Sequence, residues 1–382
     1  MNEAAQIKKE GSIRRIKALV IKEFFQIIRD PSSILISLLL PMILLFLYGF
    51  GVSLDLNHLR LGLVLEETTV DAISFAESLK NSPYFEVRMA KDRRSLEDLI
   101  IAGKIRGIVV VPSYFSAFKK RTDQPAPIQV IADGSEPNTA AFVQNYVLGA
   151  WNIWLQQEKI NQNLKGLPLV NPQPRFWYNE ELISRNFLVP GSLAIIMTLI
   201  GTLLTALVVA REWERGTMEA MMATPVGIYE LLFGKLIPYF FLGMTSMMIC
   251  VAVAVFFYNV PFRGSFLLLA LVSGAFLFCA TILGLLISTL SRNQFIASQI
   301  SMFVGFLPAF ILSGFIFEIS SMPFVIQLVT YIIPARYFVS CLQTLFLVGN
   351  IWRLIIPDLL CMLAFGFILL MITAFKTKKR LD

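Results

Sequence analysis

The sequence predicts a polytopic α-helical membrane protein with six transmembrane helices and an α/β domain inserted between the first and second spans. Three observations lead there. Apolar residues make up 56% of the 382 and gather into runs near 20 long, while only 15% of the chain is charged. A helix of about 20 apolar residues crosses the roughly 30 Å hydrocarbon core of a bilayer. One interval of ordinary polarity, residues 55–186, interrupts the runs and alternates strand-like with helix-like segments. Finally, basic residues crowd both ends of the chain beside apolar runs, the distribution that keeps such ends on the cytoplasmic side.

Residues 1–33 are the first element. Ile13, Ile16, Val20, Phe24 and Ile27 recur at helical spacing, with Arg14, Arg15, Lys17, Lys22 and Arg29 on other faces. Such a basic amphipathic helix is expected to lie flat in the cytoplasmic interface with its apolar side in lipid, as a topology anchor or as a grip for a partner. Asp30 and Pro31 then turn the chain into the membrane. The first apolar run, 34–54, is longer than the apolar region of a signal peptide and is followed by GVSLDLN, which offers no convincing cleavage site, so a retained anchor is expected.

Within residues 55–186, strands are predicted over 59–65, 85–90, 106–112 and 127–133, alternating with helices over 71–80, 95–104 and 113–121. That alternation implies an α/β sandwich around a small, partly parallel sheet. Ser95, three residues before Asp98, reads as a capping box. A longer helix over 138–163 carries Phe142, Val143, Tyr146, Val147, Ala150 and Trp154 on one face, which suits either the sheet or a second subunit.

Residues 187–375 hold the other runs, 187–210, 231–257, 266–290, 295–317 and 354–375, with a tight link at 291–294. Residues 318–350 are apolar but broken by Pro323 and Pro334, so their fragments are expected to dip into the outer leaflet as a re-entrant hairpin. A basic tail, 376–382, closes the chain.

The charge balance supports this layout. The interval from Asp55 to Arg185 holds 15 basic and 15 acidic residues, so the net charge of +7 lies wholly outside it. Seven basic residues precede Pro31 and Lys376, Lys378, Lys379 and Arg380 follow the last run. Both termini on the cytoplasmic side require an even number of crossings, in agreement with six. The same charges hug membrane spans and lack an aromatic stacking platform, which excludes a nucleic-acid groove.

Several chemistries are missing. The one histidine, His58, sits at a membrane edge without metal-ligand or hydrolase motifs around it, which argues for a structural role. Cys250, Cys279, Cys341 and Cys361 all lie in or beside apolar runs, so the polar insert is built without disulfides. Lys235, Glu318, Arg336 and Asp358 fall near predicted span ends, where side chains reach headgroups or water, and this disfavours a proton-driven carrier. No phosphate-binding loop occurs, so any energy from ATP must come from another polypeptide. The chain is accordingly not expected to be an enzyme, to bind a metal or to hold a cofactor of its own.

The interruption between the second and third runs, REWERGTMEAMMATPVG at 211–227, is the most distinctive stretch. Taken as one helix over 211–223, it sets Arg211 near Glu214, Glu212 near Arg215 and Arg215 near Glu219, pairs worth about 0.2–0.5 kcal/mol each. Met218, Met221 and Met222 make an apolar stripe suited to lipid or to an adaptable docking surface. Thr224 and Pro225 end the helix.

This stretch resembles the cytoplasmic signature of ABC-2 type transport permeases, whose E-R/K-G-T-x-E-x-L/M-x-x-T/S-P core forms the coupling helix that contacts an ATP-binding subunit. IKEFFQIIRDPSS, YIIPARYFVSCLQTLFL, RGIVVVPSYF and IADGSEPNTA are similar to further landmarks of that family, so the likeness spans nearly the whole chain. With its insert after the first span, the chain resembles the YhhJ and YbhR type of bacterial inner-membrane permease. The resemblance implies a type V ABC exporter-like fold in the inner membrane, with the insert on the periplasmic side and a coupling helix at 211–225. It makes Glu212, Glu214, Arg215, Gly216, Thr217, Glu219, Met222 and Pro225 the ATPase-coupling element. It further implies ATP and Mg on a partner ABC ATP-binding subunit, a second permease subunit, a periplasmic adaptor, and export of a drug-like or lipid-like cargo. A membrane-anchored receptor or assembly scaffold with a ligand-binding outer domain is the alternative from another class.

Overall fold

The computed structural model describes residues 2–51, 59–119, 128–133, 137–161, 178–179 and 183–377. The chain divides into two units, residues 1–53 with 176–382, and residues 54–175.

In the first unit, α1 (Asn2–Ile28) precedes six helices that, among the described residues, are long and apolar enough to cross a membrane. The first is α2 (Pro31–Gly51). It starts where Asp30 caps the chain, accepting from the Ser32 N–H, with Pro31 as first helical residue, a position where its missing N–H costs nothing. The others are α7 (Ser184–Glu214), α9 (Ile228–Phe257), α10 (Phe266–Ser291), α11 (Gln294–Leu312) and α14 (Trp352–Lys376). Between α7 and α9 lies the short α8 (Thr217–Met222). Between α11 and α14, α12 (Phe324–Thr330) and α13 (Pro334–Val348) meet at 84°, so the region around Pro323 and Pro334 is bent as its prolines predict.

α7 is the central span, buried along most of its length. Leu193, Ile196 and Met197 join Phe276 of α10 and Phe338 and Leu342 of α13 in one apolar core, where the Phe276 and Phe338 rings stack at 4.1 Å. By contrast, Leu35, Leu39, Ile43 and Phe46 of α2 stay exposed, as suits a surface solvated by lipid tails. The contact of α7 with α10 is made by small residues, the means by which membrane helices bring their backbones close. A Cβ on Gly284 would collide with the Thr202 carbonyl and the Thr205 hydroxyl. Thr198, Thr202 and Thr205 turn their hydroxyls back onto carbonyls one turn earlier, at 2.7 Å each, so no polar atom opposes the approach.

The second unit is a four-stranded sheet flanked by helices. Its strands are β1 (Leu59–Leu65), β2 (Phe85–Ala90), β3 (Gly107–Val111) and β4 (Gln129–Ala132), in the order β2-β1-β3-β4. β1 runs parallel to β2 and β3, while β4 pairs antiparallel with β3, setting Val109 opposite Val130. Both central strands are covered on two faces. Leu59, Leu61, Leu63, Val109 and Val111 face α3 (Val70–Lys80), α5 (Phe115–Lys119) and α6 (Pro137–Asn161), whereas Val64, Ile108 and Val110 face α4 (Arg94–Ile101). The long α6 therefore spends its apolar face on its own sheet. Val143, Val147 and Trp154 are buried there beside Phe75 and Phe115. α4 starts differently from its predicted capping box: Asp92 accepts from the Arg94 N–H, and the Ser95 hydroxyl donates back to the Asp92 carbonyl. Ser95 is thus already inside the helix.

Gly284→Ala is expected to lower the thermal unfolding midpoint of the detergent-purified protein, at an overpacking cost of about 1–3 kcal/mol. Gly274→Ala on the same helix, whose added Cβ would meet only Phe240 at 3.6 Å, should leave it nearly unchanged.

Candidate functional site

The stretch 211–227 does not form one helix. Residues 211–214 are the last turn of α7, and Arg215 caps it. Gly216 then adopts φ 69°, a left-handed conformation that only glycine takes without strain. The chain turns there and restarts as the six-residue α8. Arg211, Glu212 and Arg215 consequently do not pair within the stretch as helical spacing predicts; Arg211 and Glu212 take partners from other elements, and Arg215 makes no salt bridge among the described residues.

Glu212 is the centre of this arrangement. It points inward at 3% exposure and shares the Lys235 ammonium of α9, itself 2% exposed, with Glu23 of α1, which is 1% exposed. Lys22 adds a second cation, 2.8 Å from Glu212 and 3.2 Å from Glu23. Two ammoniums and two carboxylates balance, which is the condition for burying them at all. Lys235 is therefore not a span-end residue reaching for headgroups, as the sequence reading has it, but the shared cation of a buried cluster. One oxygen of Glu23, Oε2, is buried with no hydrogen-bond partner.

Further polar contacts surround the cluster. Arg211 meets Asp30 at 2.5 Å, and Asp30 also accepts from the Ser32 and Ser33 hydroxyls at 2.7 Å. Arg15 donates two bonds of 2.7 Å to Glu230, whose carboxylate also accepts from the Gly227 N–H at the start of α9. Glu214 accepts from the backbone and side chain of Gln294 at the start of α11. α1, α7, α9 and α11 are thus tied together at one end of the unit. Burial opposes the Lys22 charge, yet the Glu212 and Glu23 carboxylates outweigh it and hold Lys22 above its ordinary value. Burial likewise works against the Asp30 carboxylate, but Ser32, Ser33 and the Arg211 guanidinium prevail and hold it well below the usual carboxylate range.

The predicted coupling residues divide into two sets. Glu212 is buried structure, and the Thr217 hydroxyl donates to its carbonyl at 3.3 Å. Glu214, Arg215, Gly216, Glu219 and Pro225 are exposed. Met218 lies neither on lipid nor on a docking face: it is buried among Val209, Leu232 and Leu285 and anchors α8 to the spans. The Met222 side chain and His58 lie outside the described residues. The α1 reading also changes in part. Ile13 and Phe24 are exposed, whereas Ile27 is buried against the spans on the same side as Glu23.

Elsewhere in the same unit, an apolar cavity of about 520 Å³ opens among α7, α10, α11, α13 and α14, lined by Thr202, Phe276, Ala280, Pro308, Ile333 and Phe365 among others. No charged side chain lines it. Among the described residues, no group of His, Cys, Asp or Glu could hold a metal ion.

The model of the ABC-2 family transporter proteins matches residues 31–375. The chain belongs to the ABC-2 transporter family. This ABC-2 transporter is 51% identical over 371 residues to the "Probable multidrug ABC transporter permease YbhS" of Escherichia coli strain K12, covering 97% of this chain and 98% of the relative. It is 29% identical to "Probable multidrug ABC transporter permease YbhR" of the same strain, over 87% of this chain and 90% of the relative. The "Inner membrane transport permease YhhJ" of that strain is 27% identical, over 69% and 71%.

Two of the transporter's cluster residues, Glu23 and the buried role of Lys235, escaped the sequence reading. A signal was present. Glu23 is the only carboxylate between Ser12 and Arg29, and it falls on the face of α1 that carries Leu19 and Ile27.

Lys235→Met is expected to destabilise the purified ABC-2 transporter by about 3–5 kcal/mol, because two carboxylates lose their shared cation. Adding Glu212→Gln restores the charge balance and should recover part of the loss, a coupling of about 0.5–3 kcal/mol in a double-mutant cycle. Asp30→Asn keeps the cap oxygen but not the charge facing Arg211. A carboxyl with a depressed folded-state pKa contributes stability that is complete above its ordinary value of 3.8 and is lost as pH falls through the folded value. The gap in unfolding midpoint between wild type and Asp30→Asn should be constant from about pH 5 upward and shrink on acidification.

Proposed function

We propose that the chain is the membrane-spanning permease subunit of an ATP-driven exporter in a bacterial inner membrane, and that α8 with its flanks is where an ATP-hydrolysing partner pushes. The observation that carries this reading is the two-sided nature of α8. Its Met218 side is anchored among the spans, while Arg215, Thr217 and Glu219 stay exposed beside it. A partner that closes on ATP can press the exposed side, and the force reaches α7 directly through the turn at Gly216 and α9 through Leu232. The absence of a phosphate-binding loop in the sequence fits a partner that supplies the hydrolysis, with ATP and Mg held there.

The basic residues of α1 and of the tail support a cytoplasmic position for both termini. With six crossings, that orientation puts α8 on the same side and residues 54–175 in the periplasm, as in type V exporters. The uncharged cavity supports an amphipathic or hydrophobic cargo, drug-like or lipid-like. The multidrug names of two relatives point the same way. A second permease subunit completes the pathway, and the periplasmic unit is a place for an adaptor.

The test is cargo-stimulated ATP hydrolysis in the reconstituted complex. Glu219→Arg sets a reversed charge on the docking face, where like charges cost several kcal/mol, so binding of the ATPase should weaken roughly tenfold or more and the stimulation should fall with it. Full stimulation in that variant, at unchanged ATPase affinity, would remove α8 from the coupling route.

A further inference from the structure

We infer that a notch between α1 and the end of α7 binds the phosphate of an anionic phospholipid. The notch is a recess of about 520 Å³ lined by Lys22, Phe25, Arg29, Asp30, Arg211 and Arg215, together with Gln26. Four cations, from the C-terminal end of α1 and the residue after it and from the last turn of α7 and its cap, therefore line one recess whose lining holds a single carboxylate.

The charges do not cancel. Lys22 and Lys235 are matched by Glu23 and Glu212, and Arg211 is matched by Asp30. Arg29 and Arg215 are both exposed and make no salt bridge among the described residues. The recess keeps an excess of two positive charges. Glu214, the nearest carboxylate in sequence to Arg215, is committed to Gln294. Two guanidiniums with free N–H groups, held on separate elements about one cavity, present the planar donors that phosphate oxygens accept.

What surrounds the recess identifies the rest of the ligand. Phe25 lines it, and Ile21, Phe24, Phe25 and Ile28 are all exposed on α1. An apolar flank of this kind beside a basic recess suits a molecule with an acyl body and a phosphate head. A soluble phosphate would use the arginines and leave the flank in water. Basic pockets beside membrane helices bind anionic headgroups on these grounds, and the apolar face of an interfacial helix takes the chains. The lipid would then cross-link α1 to the turn before α8 through Arg29 and Arg215. This site goes beyond the coupling reading and does not rest on it, since binding is measured without any ATPase.

The experiment titrates the full-length chain, purified in neutral detergent, with dioleoyl phosphatidylglycerol, dioleoyl phosphatidylcholine or inorganic phosphate, reading bound lipid by native mass spectrometry and the unfolding midpoint in parallel. Wild type should retain phosphatidylglycerol and be stabilised by it, with little response to the other two. Arg29→Gln with Arg215→Gln should weaken phosphatidylglycerol binding by roughly thirtyfold, which is about 2 kcal/mol at about 1 kcal/mol per basic residue. Arg29→Lys with Arg215→Lys, which keeps both charges, should restore most of it and guards against loss through misfolding. Arg14→Gln with Lys17→Gln, on α1 but outside the recess, should bind as wild type. Equal binding by the double glutamine variant, equal loss in the Arg14 and Lys17 control, or equal stabilisation by inorganic phosphate would each overturn the assignment.

Discussion

One ammonium group, that of Lys235, holds together parts of the chain that hydropathy alone would leave independent. It enters the membrane unit on α9 and is met there by a carboxylate from α1 and one from the end of α7. Taking these charges out of water costs several kcal/mol per ion, and an apolar replacement of similar shape is often at least as stable. Net stability is therefore a weak reason for such a cluster. Its geometry offers a better one. A carboxylate on α1 whose only partners among the described residues are Lys235 and Lys22 fixes the rotation of α1 and its position along α9, since a shift of one residue would take Glu23 away from both cations.

That fixed register explains the division of labour around α8. The helix is too short to be stable alone, because nucleation costs more than six residues return. It persists because Met218 is seated among Val209, Leu232 and Leu285, and because α7 and α9, on either side of it, are joined through Glu212 and Lys235. The exposed residues beside it are thus displayed on a rigid base rather than on a loop.

The spans were legible in the sequence because a bilayer imposes a length and a polarity that few other environments require. The strands and helices of the second unit were legible for a similar reason: buried parallel strands such as GIVVV at 107–111 read as continuous apolar runs. The fate of the α6 face was not, since a helix face at three-and-four spacing states only that something covers it. Trp154 and Val147 found their own sheet. In the stretch 211–227, periodicity failed at Gly216. Helical spacing assigns partners three or four residues away, but a left-handed glycine ends the register, and Glu212 then answers to residues 190 and 23 positions away. Long-range charge pairing leaves no local pattern.

Regularity itself differs among the spans, and the difference bears on which of them can move. α2, α9, α11 and α13 contain wide π-type turns, at Leu35–Leu39 and Leu47–Gly51, Val253–Phe257, Ser301–Phe306, and Thr344–Val348. α7, α10 and α14 contain no such turn, although Pro190 and Pro357 each remove one ladder hydrogen bond from α7 and α14. Wide turns weaken the hydrogen-bond ladder and cluster at functional positions. α7 and α10, both free of wide turns, are also the helices in close contact at Gly284, where no side chain separates their backbones. In the coupling proposed above, a load on α8 would pass into this pair through the turn at Gly216. The bulged helices around the pair have the weaker hydrogen-bond ladders. Pro308 of α11 and Ile333, next to α13, face the uncharged cavity from the side of the bulged helices, while Thr202 and Phe276 face it from α7 and α10. A cavity walled by both kinds of helix would change volume if one kind moved against the other.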